Sequence, residues 1–234
     1  MIRVLGGDVS LNHGALVELS DGKLTNLWYA TDSASSAERG KHRGYRIPTF
    51  KADDHQTRAI MRLEWWEDFL GRVLDASRPD YVGLEDYALR QEQGAHQLGE
   101  IGGLARLTCW KRGIPLRLHD PTTVKMFVAH SGNALKPDVE RAVAERWNLD
   151  FSKYNPPLAK PTKKVKAPKE NRRTSEDCAD AYGIAQLVWT EVQLRAGRIL
   201  FEELHEKEIQ AFNRITKAHP VSLLSRDWIV RQTA

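Results

Sequence analysis

Three β-rich runs follow one another at the start of the chain with only short turns between them, and they constrain the fold more than any other feature. "MIRVLGGDVS", "GALVELS" and "KLTNLWYA" are separated by turns at Asn12 to Gly14 and at Asp21 and Gly22, so they read as a three-stranded antiparallel meander. Strands and helices alternate after that. "RAIMRLEWWEDFLGRVLDA" has apolar residues at helical spacing and stops before Pro79, and "DYVGLEDY" is a strand. "HQLGEIGGLARLTCWKRG" is a helix closed by Gly113, and "IPLRLHD" is another strand. The expected fold class is α/β, with one mixed sheet of five strands, three antiparallel and then parallel, flanked by helices.

The remaining segments are less regular. Residues 32 to 57, rich in Ser, Gly, Lys, Arg and His, read as a long polar excursion. "TTVKMFVAHSGNALKPDVERAVAERW" reads as a short helix, a Gly-Asn turn and a second helix from near Pro137, while "FSKYNPPLAKPTKKVKAPKENRR" lacks periodicity and is expected to be a mobile loop. An acidic helix should run from about Ser175 to Arg195. Beyond Gly197, "RILFEELHEKEIQAFNRITKAH" reads as a further helix, and "VSLLSRDWIVRQTA" is left to pack on the body or extend to a partner. This predicts a main domain over 1–195 with a basic insertion at about 151–173, followed by a helical extension over 196–234. No internal repeat is present.

The acidic helix raises the chemical question. In "NRRTSEDCADAYGIAQLV" the acids Glu176, Asp177 and Asp180 crowd the first turns of an apolar helix. Thr174 or Ser175 is a good N-cap, and first-turn acids are favoured by the exposed N–H groups and the helix dipole, which accounts for Glu176. Asp180 lies further in, on the side defined by Ala181, Ile184 and Leu187, and shares a helical face with Asp177. Two strand acids are also notable: Asp8 lies on the strand face shared by Ile2, Val4 and Gly6, and Glu85 ends "YVGLE". Each alone reads more readily as a solvated strand end. If the first and fourth strands are neighbours, however, Asp8 and Glu85 lie side by side, and a helix across that edge brings Asp177 and Asp180 to them. Four converging carboxylates repel one another unless cations neutralise them, and two Mg²⁺ ions, with Mn²⁺ able to substitute, suit such an oxygen-only site. An ion pair of that kind stabilises both the attacking and the leaving oxygen of a phosphoryl displacement.

Charge narrows the substrate class. The net charge is +4, the pI about 9.0, and Lys160, Lys163, Lys164, Lys166, Lys169, Arg172 and Arg173 crowd one segment. Such a run is usually a solvated loop, but beside four acids on a basic chain it also suits a polyanion such as DNA. Cys109 and Cys178 have no zinc-site spacing and read as ordinary reduced thiols. No signal-peptide pattern or membrane-spanning run is apparent, so a cytoplasmic location is expected.

Several blocks together resemble the RuvC-like Holliday-junction resolvases of the ribonuclease H-like superfamily. "GGDVSLNHGALVEL" is similar to the family's first strand and turn, with Asp8 at its first acid, and "YVGLEDY" places Glu85 at the second. "LGEIGGLARLTCWKRGIPL" resembles the small-residue helix and next strand. "PTTVKMFVAHSGNALKPDV" resembles a segment in which two lysines recur, here Lys125 and Lys136, and "DCADAYGIA" resembles the closing DxxDA helix that carries Asp177 and Asp180. The likeness covers about residues 1 to 20 and 80 to 190. Val9 and Ser10 stand where many relatives have Pro-Gly, and the basic insertion and the tail have no counterpart in the compact bacterial form, which points to a divergent branch such as a phage-encoded enzyme.

The resemblance implies a Mg²⁺-dependent endodeoxyribonuclease that resolves four-way DNA junctions, with Asp8, Glu85, Asp177 and Asp180 as two-metal ligands and 5′-phosphate products. Lys136 and Lys125 would neutralise the scissile phosphate. Arg90 would meet bases at the branch, as would Tyr87, which otherwise and more readily reads as a packing residue, and the lysines from Lys163 to Lys169 with Arg172 and Arg173 would meet the backbone. Paired cuts require two active sites, hence a twofold homodimer; Gly99, Gly102 and Gly103 would permit close approach in it, or serve packing against the sheet. The alternatives are a nuclease for flaps or forks, a non-catalytic branch-binding protein, and an actin-like ATPase, which needs two phosphate-binding hairpins where only one glycine-bearing turn is seen.

Overall fold

The computed structural model describes residues 1–32, 44–86, 95–155 and 173–231. Its six-stranded sheet has the order β4-β3-β2-β1-β5-β6. The meander is β1 (Arg3–Val9), β2 (His13–Ser20) and β3 (Lys23–Thr31), antiparallel throughout. β5 (Tyr81–Glu85) and β6 (Leu116–His119) add in parallel on the β1 side. The sheet has six strands, one more than expected, because β4 (Gly44–Arg46) pairs in parallel with the outer edge of β3 inside the polar segment. Three residues are too few to show alternation, and β4 is held by what surrounds it: Tyr45 packs edge-on against Phe69, and Ile47 is buried.

Helices cover both faces. On one face lie α1 (His55–Ser77) and α2 (Ala95–Lys111), packed through Trp66, Phe69, Val73 and Ile101 onto Leu5, Leu16, Val82 and Leu84. α1 begins three residues before the periodic run because the Asp54 side chain accepts the Thr57 N–H at 2.8 Å, and it ends where Arg78 turns left-handed ahead of Pro79. On the other face lie α3 (Pro121–Ala129), α4 (Lys136–Trp147) and the long α5 (Arg173–Arg195), around Val4, Val17, Val128, Val143, Ile184 and Leu187.

The single helix expected beyond Gly197 is instead a 3₁₀ turn, Phe201–Glu203, and a short α6 (Glu206–Asn213). His205 interrupts it. Its backbone is extended and its ring accepts the Lys207 N–H at 3.1 Å, so the helix restarts there. The last described segment packs on the body. Ile229 bridges to Leu116 at the β6 edge, and Trp228 lies against Tyr81.

Candidate active site

Strand alternation places the acids. Val4 enters one core and Leu5 the other, so Val4, Gly6 and Asp8 share the α5 face. A Cβ on Gly6 would lie 2.3 Å from the Ala181 carbonyl oxygen and 2.4 Å from the Ala185 nitrogen, and one on Gly83 would lie 2.5 Å from Val188 Cγ2. Gly6 and Gly83 are register partners on β1 and β5. This bare pair lets α5 settle directly on the two central strands. Gly7 pairs with Leu84, so one further step in that register sets Asp8 beside Glu85.

Helical spacing does the rest. Asp177, Ala181 and Ala185 form one i, i+4 row over β1, and Asp180, Ile184 and Val188 form the neighbouring row over β5. One turn beyond the glycine contacts, the two rows deliver Asp177 and Asp180 to the strand-borne acids. The α5 N-terminus itself is held by a residue sequence reading overlooked. The helix starts at Arg173, so Thr174 and Ser175 lie inside its first turn. Asn155 Oδ1 takes the Ser175 N–H at 3.0 Å, its Nδ2 donates to Ser175 Oγ at 2.9 Å, and that hydroxyl donates to Glu140.

Lys136, first residue of α4, sits among the carboxylates. Its Nζ is 3.6 Å from Glu176 Oε2, 3.8 Å from Asp180 Oδ2 and 3.9 Å from Asp177 Oδ1. Burial alone lowers its pKa, but the surrounding charges of Asp180, Asp8, Asp177 and Glu176 more than reverse this and hold it above the usual lysine value. Glu176 is thus a Lys136 partner rather than only a capping residue. Lys125 on α3 adds positive charge that reaches Glu85 and Asp180.

The acids carry the opposite signature. Burial first, and then the Asp177 charge, push Asp8 up to about 6 against the opposing effects of Lys136, His13 and a hydrogen bond with Glu85. Burial and the Asp8 charge push Asp180 up to about 8, and burial with Asp8 and Asp180 holds Glu85 well above the carboxylate range. His13, which sequence reading placed only in a turn, donates from Nδ1 to Asp177 Oδ2 at 2.6 Å. The other oxygen, Asp177 Oδ1, is buried without a hydrogen-bond partner.

These shifts have a consequence for stability. A carboxyl group whose folded pKa lies above its unfolded value of about 3.9 stabilises the fold below that value, and the contribution is lost as pH rises through the folded pKa. Metal-free wild-type protein should therefore lose stability relative to Asp180→Asn as pH rises from about 4 to about 8, in keeping with the folded value near 8. Thermal unfolding in chelator across that range measures the gap, and a gap independent of pH would contradict the assigned burial of Asp180.

Tyr87, Arg90, Lys163, Lys164, Lys166, Lys169 and Arg172 lie outside the described residues, and Arg173 opens α5. Cys109 and Cys178 are buried and form no disulfide. Among the described residues no helix is long and apolar enough to cross a membrane. Gly99 and Gly103 do not serve packing against the sheet, since an added Cβ at either would meet nothing within 4 Å.

No protein-family model matches the chain. Among curated proteins it is 32% identical over 106 residues to the crossover junction endodeoxyribonuclease RuvC of Bifidobacterium animalis subsp. lactis, a match covering 44% of this chain and 54% of that protein. It is 30% identical over 115 residues to the RuvC of Protochlamydia amoebophila, covering 49% and 56%. The chain thus spans about half the length of the curated relatives it matches. Among solved structures, Thermus thermophilus RuvC in complex with Holliday junction substrate superposes with a TM-score of 0.51 over 84% of this chain and 96% of that one, at 20% identity. The fold is RuvC-like. A second Thermus thermophilus RuvC structure gives 0.50, with 21% identity over 84% of this chain and 97% of that one. The RuvC-like sheet is what sets the two glycine-bearing strands side by side under α5.

Proposed function

We propose that this chain is a divalent-metal-dependent endodeoxyribonuclease that resolves four-way (Holliday) junctions by paired phosphodiester hydrolysis, working as a twofold homodimer in the cytoplasm. The observation that carries the reading is the gathering of Asp8, Glu85, Asp177 and Asp180, from β1, β5 and α5, about one lysine ammonium.

The chemistry of this donor set fits Mg²⁺, with Mn²⁺ a substitute. The set is oxygen-only, its acids repel one another, and it includes a buried Asp177 oxygen without a hydrogen-bond partner. Among the described residues no three His, Cys, Asp or Glu side chains yet stand close enough to hold an ion; the Lys136 ammonium supplies the neutralising charge among them. When bound, two Mg²⁺ ions supply an activated water and a counter-charge for the departing 3′ oxygen.

The chain's own residues define the rest. Asp8 and Glu85 would hold the ions from rigid strand ends, and Asp177 and Asp180 from the first turns of α5. Lys136 and Lys125 place positive charge where the scissile phosphate enters, which favours the build-up of negative charge during displacement. Direct hydrolysis needs no covalent intermediate and leaves 5′-phosphate ends that can be religated. The outward face of α2 supports pairing of two copies: Gly99 and Gly103 open one face, and Leu107 and Trp110 are exposed further along that helix.

A cleavage panel tests the reading, with four-way junction, flap, fork and plain duplex at matched salt, since phosphate contacts dominate affinity. Symmetric nicks across the junction, dependent on Mg²⁺ or Mn²⁺, are the expected result. Equal cutting of flaps and forks would make the chain a general branch nuclease, and no cutting of any substrate with either ion would overturn the nuclease assignment.

A further inference from the structure

The turn between β1 and β2 is pinned from several sides. Ser10 donates to the His13 carbonyl from both its N–H and its hydroxyl, at 2.9 and 2.8 Å. From α1, Trp66 Nε1 donates to the Leu11 carbonyl at 3.2 Å and Arg62 donates to Asn12 Oδ1 at 2.8 Å; the Asp32 N–H takes the Asn12 carbonyl at 3.1 Å. His13 itself pairs with Thr31 in the ladder. Its position is therefore set by the sheet and by α1, independently of α5, whose Asp177 it meets.

Asp177 is 2% exposed, so the disposition of its two oxygens is fixed by what surrounds them. With the carboxylate as acceptor, His13 Nδ1 is the donor of the 2.6 Å contact, and it holds Oδ2. Oδ1 is left buried without a hydrogen-bond partner, on the side where Lys136 Nζ stands 3.9 Å away. We infer that His13 is a positioning residue: it holds Oδ2 so that Asp177 presents Oδ1 alone, in one orientation, to a divalent cation. This rests on the metal-site reading above and adds to it a member from β2, on the far side of Asp8 from Glu85. In this role the imidazole meets neither substrate nor cation. It acts through the carboxylate, as hydrogen-bond partners of metal ligands do elsewhere.

The test is calorimetric titration of Mn²⁺ into the full-length, DNA-free protein, which reads affinity without turnover. His13→Ala should weaken Mn²⁺ binding by about 10- to 100-fold, the cost of removing such partners elsewhere. Asparagine carries an amide N–H near the place of Nδ1, and glutamine carries one near the place of Nε2. His13→Asn should therefore stay within a few-fold of wild type, while His13→Gln falls with the alanine variant. Should His13→Ala fail to fold, the asparagine and glutamine pair carries the comparison alone. Equal affinity in wild type and His13→Ala, or in His13→Asn and His13→Gln, overturns the proposal and leaves the metal site standing. Wild type that binds no Mn²⁺ overturns the metal site itself, and the role of His13 with it.

Discussion

Replacing Asp8 by asparagine should abolish junction cleavage while leaving junction binding within a few-fold of wild type. The substitution keeps the shape of the side chain and removes one charge from a carboxylate that lies between Asp177 and Glu85 and interacts with both. Cation retention needs that charge, and a loss of about 10³-fold corresponds to roughly 4 kcal/mol of transition-state stabilisation. Binding should be spared, since phosphate contacts, which dominate affinity for DNA, would come from cationic groups elsewhere. A second expectation separates a site effect from a folding defect. With one acid removed from a mutually repelling group, metal-free Asp8→Asn should be at least as stable as wild type near pH 8, above the Asp8 value of about 6. Single-turnover cleavage, gel-shift binding in Ca²⁺ and thermal unfolding in chelator check the three statements. Cutting retained with Mg²⁺ would remove Asp8 from the site.

The acids were legible in the sequence because each sits at a position where its neighbours state the geometry. Asp8 and Glu85 continue alternating strand faces, and Asp177 and Asp180 continue two apolar helical rows. Period-two and period-3.6 patterns are local, so they survive without a structure. The features that escaped depend on partners remote in sequence. Asn155 acts at Ser175 and His13 at Asp177, 164 residues away, and neither neighbourhood marks the role. Likewise "LGGDV" does not mark the close approach at Gly6, and only the pairing of Gly6 with Gly83 shows that one helix uses both. β4 escaped for the opposite reason: its three residues are too few to carry any pattern, and packing of Tyr45 on Phe69 holds it. The helix beyond Gly197 misled because "FEELHEKEIQAF" is helical by propensity throughout, while His205 imposes a break that propensity does not register.

Arg117→Ala should be the most destabilising single change at a distance from the acids. Arg117 on β6 is 3% exposed and Glu191 on α5 is fully buried; Nη2 meets Oε1 at 2.6 Å and Nε meets Oε2 at 3.2 Å. The same guanidinium donates to the carbonyls of Asp227 and Arg226, both at 2.9 Å, and lies 4.5 Å over the Trp228 ring. One side chain therefore ties sheet, helix and C-terminal segment together. Arg195, on the α5 turn after Glu191, donates to Glu191 at 2.8 Å and would be its remaining cationic partner. Removing one member of a buried ion pair costs about 3–5 kcal/mol because the other charge is stranded. For a chain of this size that lowers Tm by roughly 6–20 °C, at about 2–4 °C per kcal/mol. Replacing both members by apolar residues is a different matter, since a buried pair is often matched by hydrophobic residues of similar volume. Arg117→Met with Glu191→Leu should thus recover most of the loss at the sheet–helix contact and leave only that of the C-terminal segment. Thermal unfolding of the single and double variants measures this. A single-variant loss within about 1 kcal/mol would show that Arg195 or water compensates the Glu191 charge, and a double variant no better than the single would show that the C-terminal contacts, not the stranded charge, carry the stability.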